Sequence, residues 1–212
     1  GCKTNFFGNT EIEENSLTLK TTSEAIAIRN HVLMTFERII SASPEEKERL
    51  LNLVIVGAGP TGVELAGAFA EIKNTILPKD YPDIDFKKLN IILIEGSKHT
   101  LNNMSDTAKT SSAKYLRAMG VTVITEVLMT NYDGKTAKLD NGKEIKTGTV
   151  IWAAGVTGNK IEGLPETSIT RGNRIIVDRY NRVNGCDAIY AIGDIAYMET
   201  PKYPKGHPQL AN

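Results

Sequence analysis

Gly57-Ala58-Gly59-Pro60-Thr61-Gly62 is the stretch whose residue types and spacing are most able to do chemistry. Each glycine of this G-x-G-x-x-G run has a physical job. Gly57 permits a sharp turn, Gly59 lets a pyrophosphate approach the backbone, and Gly62 lets a following helix lie close to the preceding strand. The free N–H groups and positive end of that helix then attract phosphates, with Pro60 and Thr61 inside the turn. A second candidate is Glu95, which closes the apolar run Leu89–Glu95. A carboxylate there accepts hydrogen bonds from both ribose hydroxyls and repels a 2′-phosphate, which favours NAD(H) over NADP(H).

The flanking residues supply the context that this motif needs. Leu51, Leu53, Val54, Ile55 and Val56 form an apolar, β-prone run suited to a strand buried on both faces of a parallel sheet. Val63–Ile72 then favours a helix. Glu95 follows Gly62 by 33 positions, more than the usual roughly 20. Asn74–Lys88, with Pro78 and Pro82, reads as a surface insertion that takes up the excess. The plainer reading is a tight βα turn with Glu95 as a solvated strand end.

Bulk composition narrows the class. The 212 residues are 41% hydrophobic, enough for one or two domains with cores. Lys+Arg and Asp+Glu both number 25, which gives no basic surplus for nucleic-acid binding. Cys2 and Cys186 are lone and far apart, so no disulfide framework or C-x-x-C metal site is encoded, and a reducing, cytoplasmic compartment is the default. No apolar run approaches the roughly 20 residues that span a bilayer. The chain starts at Gly-Cys-Lys without Met, as an excised piece of a longer protein would.

Along the chain, Gly1–Leu19 reads as a polar connector anchored only by Phe6-Phe7-Gly8. Thr21–Ala42 predicts a long helix with a Thr21/Glu24 capping box, and Ile26, Leu33, Phe36 and Ile40 recur at helical spacing. His31 within it reads as a surface or packed histidine. Ser43-Pro44-Glu45-Glu46 opens a short helix. Ser105–Met119 predicts a helix closed by Gly120, Val121–Glu126 a strand, and Thr136–Thr147 a hairpin turning at Asp140-Asn141-Gly142. Thr149–Ala153 is another buried strand, broken at Ala154-Gly155. Arg174–Val177 and Ala188–Asp194 predict two further strands, the second ending in Gly193-Asp194, where α/β sheets place ligands. A Gly-Asp pair alone is more often an ordinary turn.

Taken together, VIVGAGPTGVELAGAFAE, IEGSKHTL, VIWAAGV and AIYAIGD resemble the pyridine-nucleotide-dependent flavoprotein reductases. With the helix around Ala25–His31 and the closing Lys205-Gly206-His207-Pro208-Gln209, the chain is most similar to type II NADH:quinone oxidoreductases. The resemblance covers nearly the whole chain. It implies an α/β, Rossmann-like NADH-binding domain with a β-meander crossover over 49–155, a connector and helix over 1–48, and part of a second, FAD-binding domain over 156–212. That family's first, FAD-binding glycine fingerprint has no counterpart here. By the resemblance, Gly57, Gly59, Pro60, Thr61 and Gly62 would wrap the NADH pyrophosphate and Glu95 the adenosine ribose. Ala154 and Gly155 would lie beside the nicotinamide, and Asp194 by the FAD ribityl or phosphate. Glu64 matches a glutamate near the nicotinamide with a positioning or proton-handling role; the alternative is that an acid on the first helical turn merely suits the helix N-terminus. The intact protein would pass hydride from NADH to FAD and electrons to a quinone, attached peripherally at the cytoplasmic face of a membrane, with a homodimer left open. Three alternatives stay in view: another FAD/NAD(P)H-dependent reductase of the family, a non-catalytic NAD(H)-binding module, and a glycine loop that itself holds FAD.

Overall fold

The computed structural model describes residues 1–82 and 84–209. Its contacts divide the chain into two units, Phe6–Ala154 and Gly1–Asn5 with the residues from Gly155 onward. A short strand β1 (Cys2–Thr4) opens the chain and belongs to the latter. Within Phe6–Ala154 follow α1 (Thr10–Asn15), β2 (Leu17–Thr18), α2 (Thr22–Ser41), α3 (Pro44–Leu50), β3 (Asn52–Val56), α4 (Pro60–Thr75) and α5 (Leu77–Asp80). Next come β4 (Asn90–Glu95), α6 (Asp106–Ala118), β5 (Val121–Thr125), β6 (Met129–Tyr132), β7 (Thr136–Leu139), β8 (Glu144–Lys146) and β9 (Thr149–Trp152).

The central sheet is parallel, with strand order β2-β9-β3-β4-β5. Its runs are continuously apolar because alternate residues face opposite cores. Leu53, Ile55, Ile91, Leu93 and Ile151 face one core together with α2, α4 and α6 side chains. Val54, Val56, Ile92, Ile94, Val150 and Trp152 face the other, covered by Ile12 and by the antiparallel meander β6-β7-β8. The α/β, Rossmann-like architecture with its meander is thus present. Thr21 and Glu24 make the expected capping box, Ser43 and Pro44 open α3, and Gly142 turns the hairpin at φ +80°.

Three segments pack differently from the sequence reading. The connector is structured: Ile12 is fully buried, and Leu17–Thr18 pairs with β9 as an edge strand. Its apolar residues are too sparse to show periodicity, but the single Ile12 suffices to seat this six-residue helix. The insertion is not confined to the surface, since Leu77 and Phe86 are buried and Phe86 meets Phe36 edge-on at 5.5 Å, with Tyr81 against both. On α2 the packed face is Ile28, Val32, Thr35, Phe36 and Ile39, whereas Ile26, Leu33 and Ile40 are exposed. Two apolar stripes share this helix, and only the one carrying Phe36 points at the sheet. α4 also runs from Pro60 to Thr75, longer than the expected Val63–Ile72.

In the other unit β1 pairs antiparallel with β10 (Val156–Gly158), and β11 (Ile175–Ile176) pairs parallel with β12 (Ala196–Tyr197). Arg174–Val177 therefore contributes only two strand residues. The expected strand Ala188–Asp194 does not form. Only Tyr190 bridges, to Arg182, while Ile189 and Ile192 stay exposed and Gly193 turns the chain at φ +73°. Apolar β-prone residues make a strand only when a neighbouring edge accepts their ladder, and here β11 pairs instead with Ala196–Tyr197, just beyond Asp194. The small core is Ile175, Val177, Val183, Ala191 and Ile195.

His31 is a packed residue. Its Nε2 lies 3.0 Å from Thr149 Oγ1 and 3.2 Å from the Gly148 carbonyl, tying α2 to the start of β9. Burial pushes the imidazole below its ordinary 6.5, against the opposing effect of the Gly148 hydrogen bond and with a smaller push from Arg38. The folded protein therefore favours the neutral ring, the unfolded chain takes up the proton first, and stability falls as pH drops through about 6.5. His31→Gln should flatten that decline, read as urea unfolding midpoints from neutral pH into mild acid; an unchanged slope would contradict it. The two stripes of α2 are separated by a second comparison. Phe36→Ala should cost about 3–5 kcal/mol, and Leu33→Ala about 0.5 kcal/mol or less. Equal losses would mean that the helix buries the other stripe.

Candidate functional site

The glycine run follows β3 directly. A Cβ on Gly57 would sit 2.7 Å from the Ala154 nitrogen, and its φ is +98°. A Cβ on Gly62 would lie 1.8 Å from the Gly57 carbonyl oxygen. Both glycines are therefore demanded by the protein's own backbone. Gly59 is different: its φ is an ordinary −71°, and a Cβ there would meet nothing within 4 Å. Pro60 takes the first position of α4, and no side chain caps that end. The first-turn N–H groups, those of Thr61 and Gly62 among them, have no intrahelical acceptor.

Glu95 clamps the turn. Its Oε2 accepts from the Ala58 N–H at 2.6 Å and its Oε1 from the Ser97 N–H at 2.8 Å. On the other side of the same residue, the Leu101 N–H donates to the Ala58 carbonyl at 2.8 Å, and the Gly57 N–H continues the β4 ladder to the Ile94 carbonyl. A carboxylate has about four lone-pair directions, so each oxygen keeps one for a ligand.

Beside this clamp lies a cleft of about 530 Å³. It is lined by Gly57, Glu95, Gly96 and Ala154, by apolar Val127, Leu128 and Met129, and at one end by Phe6, Phe7 and Trp152. Phe6 stacks on Trp152 at 5.9 Å between ring centroids, and Phe7, held at φ +55°, meets it edge-on at 6.4 Å. A carboxylate at the edge of an apolar cleft, beside a turn that leads into a helix start with no side-chain cap, suits a ligand with a flat ring, a polyol and an anion.

Of the residues singled out in the sequence, Gly57, Glu95 and Ala154 line this cleft together. Gly59, Pro60, Thr61 and Gly62 form the turn that follows Gly57 but do not line it. Glu64 is exposed and is the fifth residue of α4, one turn further in than the sequence reading placed it, because the helix starts at Pro60 rather than Val63. Gly155 and Asp194 belong to the other unit. There Asp194 is half-buried in the short turn Gly193–Ile195, and its carbonyl accepts from Arg174 and Gln209. Sequence reasoning missed Phe6, Trp152 and the Val127–Met129 wall. The only available signal was an apolar triplet just after a strand, which any core would also show.

Residues 9–212 match the family model described as pyridine nucleotide-disulphide oxidoreductase. The chain belongs to that family. Within it, the chain is 31% identical over 208 residues to a type II NADH:quinone oxidoreductase, NdhA, of Mycobacterium tuberculosis, covering 93% of this chain and 44% of the relative. It is 31% identical to a probable NADH dehydrogenase of Dictyostelium discoideum, covering 96% and 46%. The solved structure of NDH2 from Plasmodium falciparum in complex with NADH superposes with a TM-score of 0.85 at 27% identity, over 94% of this chain and 43% of that one. The chain thus spans a little under half the length of these oxidoreductases.

The Glu95 clamp gives a direct expectation. Ala58 is fully buried, so Glu95→Ala leaves its N–H unpaired, at a cost of about 1–3 kcal/mol in the absence of any ligand. Chemical denaturation of the ligand-free protein reads this, and an unchanged midpoint would mean that the carboxylate does not hold the turn.

Proposed function

We propose that this chain carries the NADH-binding region of a flavin-dependent NADH:quinone oxidoreductase. The observation that carries the reading is the contrast among the three glycines. Gly57 and Gly62 have no room for a Cβ, whereas the space beside Gly59 is open. A glycine that the packing does not need, at the uncapped start of a 16-residue helix, fits a pyrophosphate lying against the backbone. Glu95 then takes the adenosine ribose with its remaining lone pairs, and the negative charge there disfavours a 2′-phosphate. The apolar cleft receives the base. Ala154 and Gly155 lie toward the nicotinamide, and Glu64 positions it or handles a proton beside it.

On the flavin side the residues also fit. A Cβ on Gly193 would meet nothing within 4 Å, and Asp194 next to it offers a carboxylate to ribityl hydroxyls. We assign 49–155 to NADH, 156–212 to the flavin side and 1–48 to the connector. Bound together, the two cofactors supply hydride transfer from nicotinamide to flavin and two-electron delivery to a quinone. The chain's own share is to hold the phosphates by backbone N–H groups, orient the ribose, and exclude water with Phe6, Trp152 and Val127. Support for the quinone acceptor comes from the names of the relatives. A quinone dissolved in a bilayer makes peripheral attachment at the cytoplasmic face the fitting arrangement for the whole enzyme; a homodimer is the form to look for by light scattering.

Gly59→Ala tests the central assignment. The substitution should leave the urea midpoint unchanged, because its backbone is unstrained and the space is open, yet weaken NADH binding by at least about tenfold. Gly62→Ala, by contrast, should lower stability as well. Wild-type NADH affinity in Gly59→Ala would overturn the pyrophosphate assignment.

A further inference from the structure

Arg174 is half-buried in the unit that contains Asp194, and its guanidinium gathers three backbone carbonyls from two separate segments. Nε donates to the Asp194 carbonyl at 3.0 Å, and Nη2 donates to those of Ala196 at 2.6 Å and His207 at 3.0 Å. The same group lies 5.4 Å from the centre of the Tyr197 ring. Its own backbone is fixed next to β11 by reciprocal bonds with Thr170. Other contacts join the same stretch of chain: His207 Nε2 lies 3.3 Å from Thr200 Oγ1, and a Cβ on Gly206 would lie 2.4 Å from Tyr197 Cε2, so that Gly206 sits against the ring. The His207 N–H reaches the Met198 carbonyl, and the Gln209 amide donates to the Asp194 carbonyl at 3.1 Å. An arginine with several N–H donors in a rigid plane can hold divergent carbonyls in one arrangement; a lysine ammonium cannot match that planar fork.

We propose that Arg174 is a positioning residue for the flavin side of the protein. Its guanidinium locks the Gly193–Asp194 turn to the Gly206–Gln209 segment, so that the Asp194 side chain is presented in one orientation. This rests on the reading that Asp194 faces the flavin. The residue makes no contact with reacting atoms; it acts through the two segments that it holds. Each bond is charge-assisted, so its loss is felt as a change of about tenfold or more in local opening.

The experiment uses the full-length protein that carries this chain, with Arg174→Ala, Arg174→Lys and Asp194→Ala variants. Amide hydrogen exchange is read at Ala196 and His207, which lie on the two joined segments, and flavin release is read from recovered flavin fluorescence. In Arg174→Ala both amides should exchange at least about tenfold faster, and together; flavin release should speed up, while NADH affinity stays unchanged. Millimolar guanidinium should restore both readouts, and Arg174→Lys should not. Exchange that rises at one segment only, or that guanidinium does not reverse, would overturn the proposal. Asp194→Ala separates the underlying reading: if it leaves flavin release unaltered, Asp194 does not face the flavin, while the exchange result still judges Arg174 as the lock.

Discussion

A carbonyl oxygen occupies the space where Gly62 would carry a side chain. That approach, 1.8 Å between the Gly57 oxygen and the position of a Cβ on Gly62, is what allows α4 to start immediately over the end of β3. The rest follows from it. Because the helix begins so close to the strand, its uncapped end faces the edge of the parallel sheet, and the peptide of Ala58 comes within reach of Glu95 on the neighbouring strand. A side chain at either glycine would separate strand from helix and open the turn that Glu95 and Leu101 clamp from its two sides.

The clamp also explains why an acid serves at the end of β4. A carboxylate can accept from two backbone N–H groups and still accept from a ligand, whereas an amide at the same place would turn one of its faces into a donor. The side chain that holds the empty turn is thus also the one that the proposed function assigns to the ribose. The two sheet faces divide the remaining work. Helices and the Phe36–Tyr81–Phe86 cluster fill one, while the meander and α1 fill the other and leave the cleft at its end, where Trp152 and Phe6 stack.

What could be read in the residues was whatever rests on local chemistry. The β3–turn–α4 unit, the capping box at Thr21 and the turn at Gly142 each depend on a few neighbouring residues, and all were legible; the Glu95 clamp on the Ala58 and Ser97 N–H groups was not, because it needs two strands and the turn brought together. The cleft wall was not, because Val127–Met129 and Trp152 look like any core residues until the fold brings them beside Glu95. Helix α2 shows the same limit from another side: Ile26, Leu33 and Ile40 have as good a helical spacing as the stripe that packs, and only the position of the sheet decides between them. At Ala188–Asp194 the residues favour a strand, but strand formation is a property of a pair of edges, and the matching edge for β11 begins at Ala196.

The most direct measurement is a side-by-side titration of this chain with NADH, NADPH and FAD, followed through the fluorescence of Trp152 at the end of the cleft. NADH should quench it at concentrations well below those needed for NADPH, and replacing Glu95 by Ala should remove that difference. Binding of FAD ahead of NADH would contradict the assignment and would make the glycine turn a flavin site.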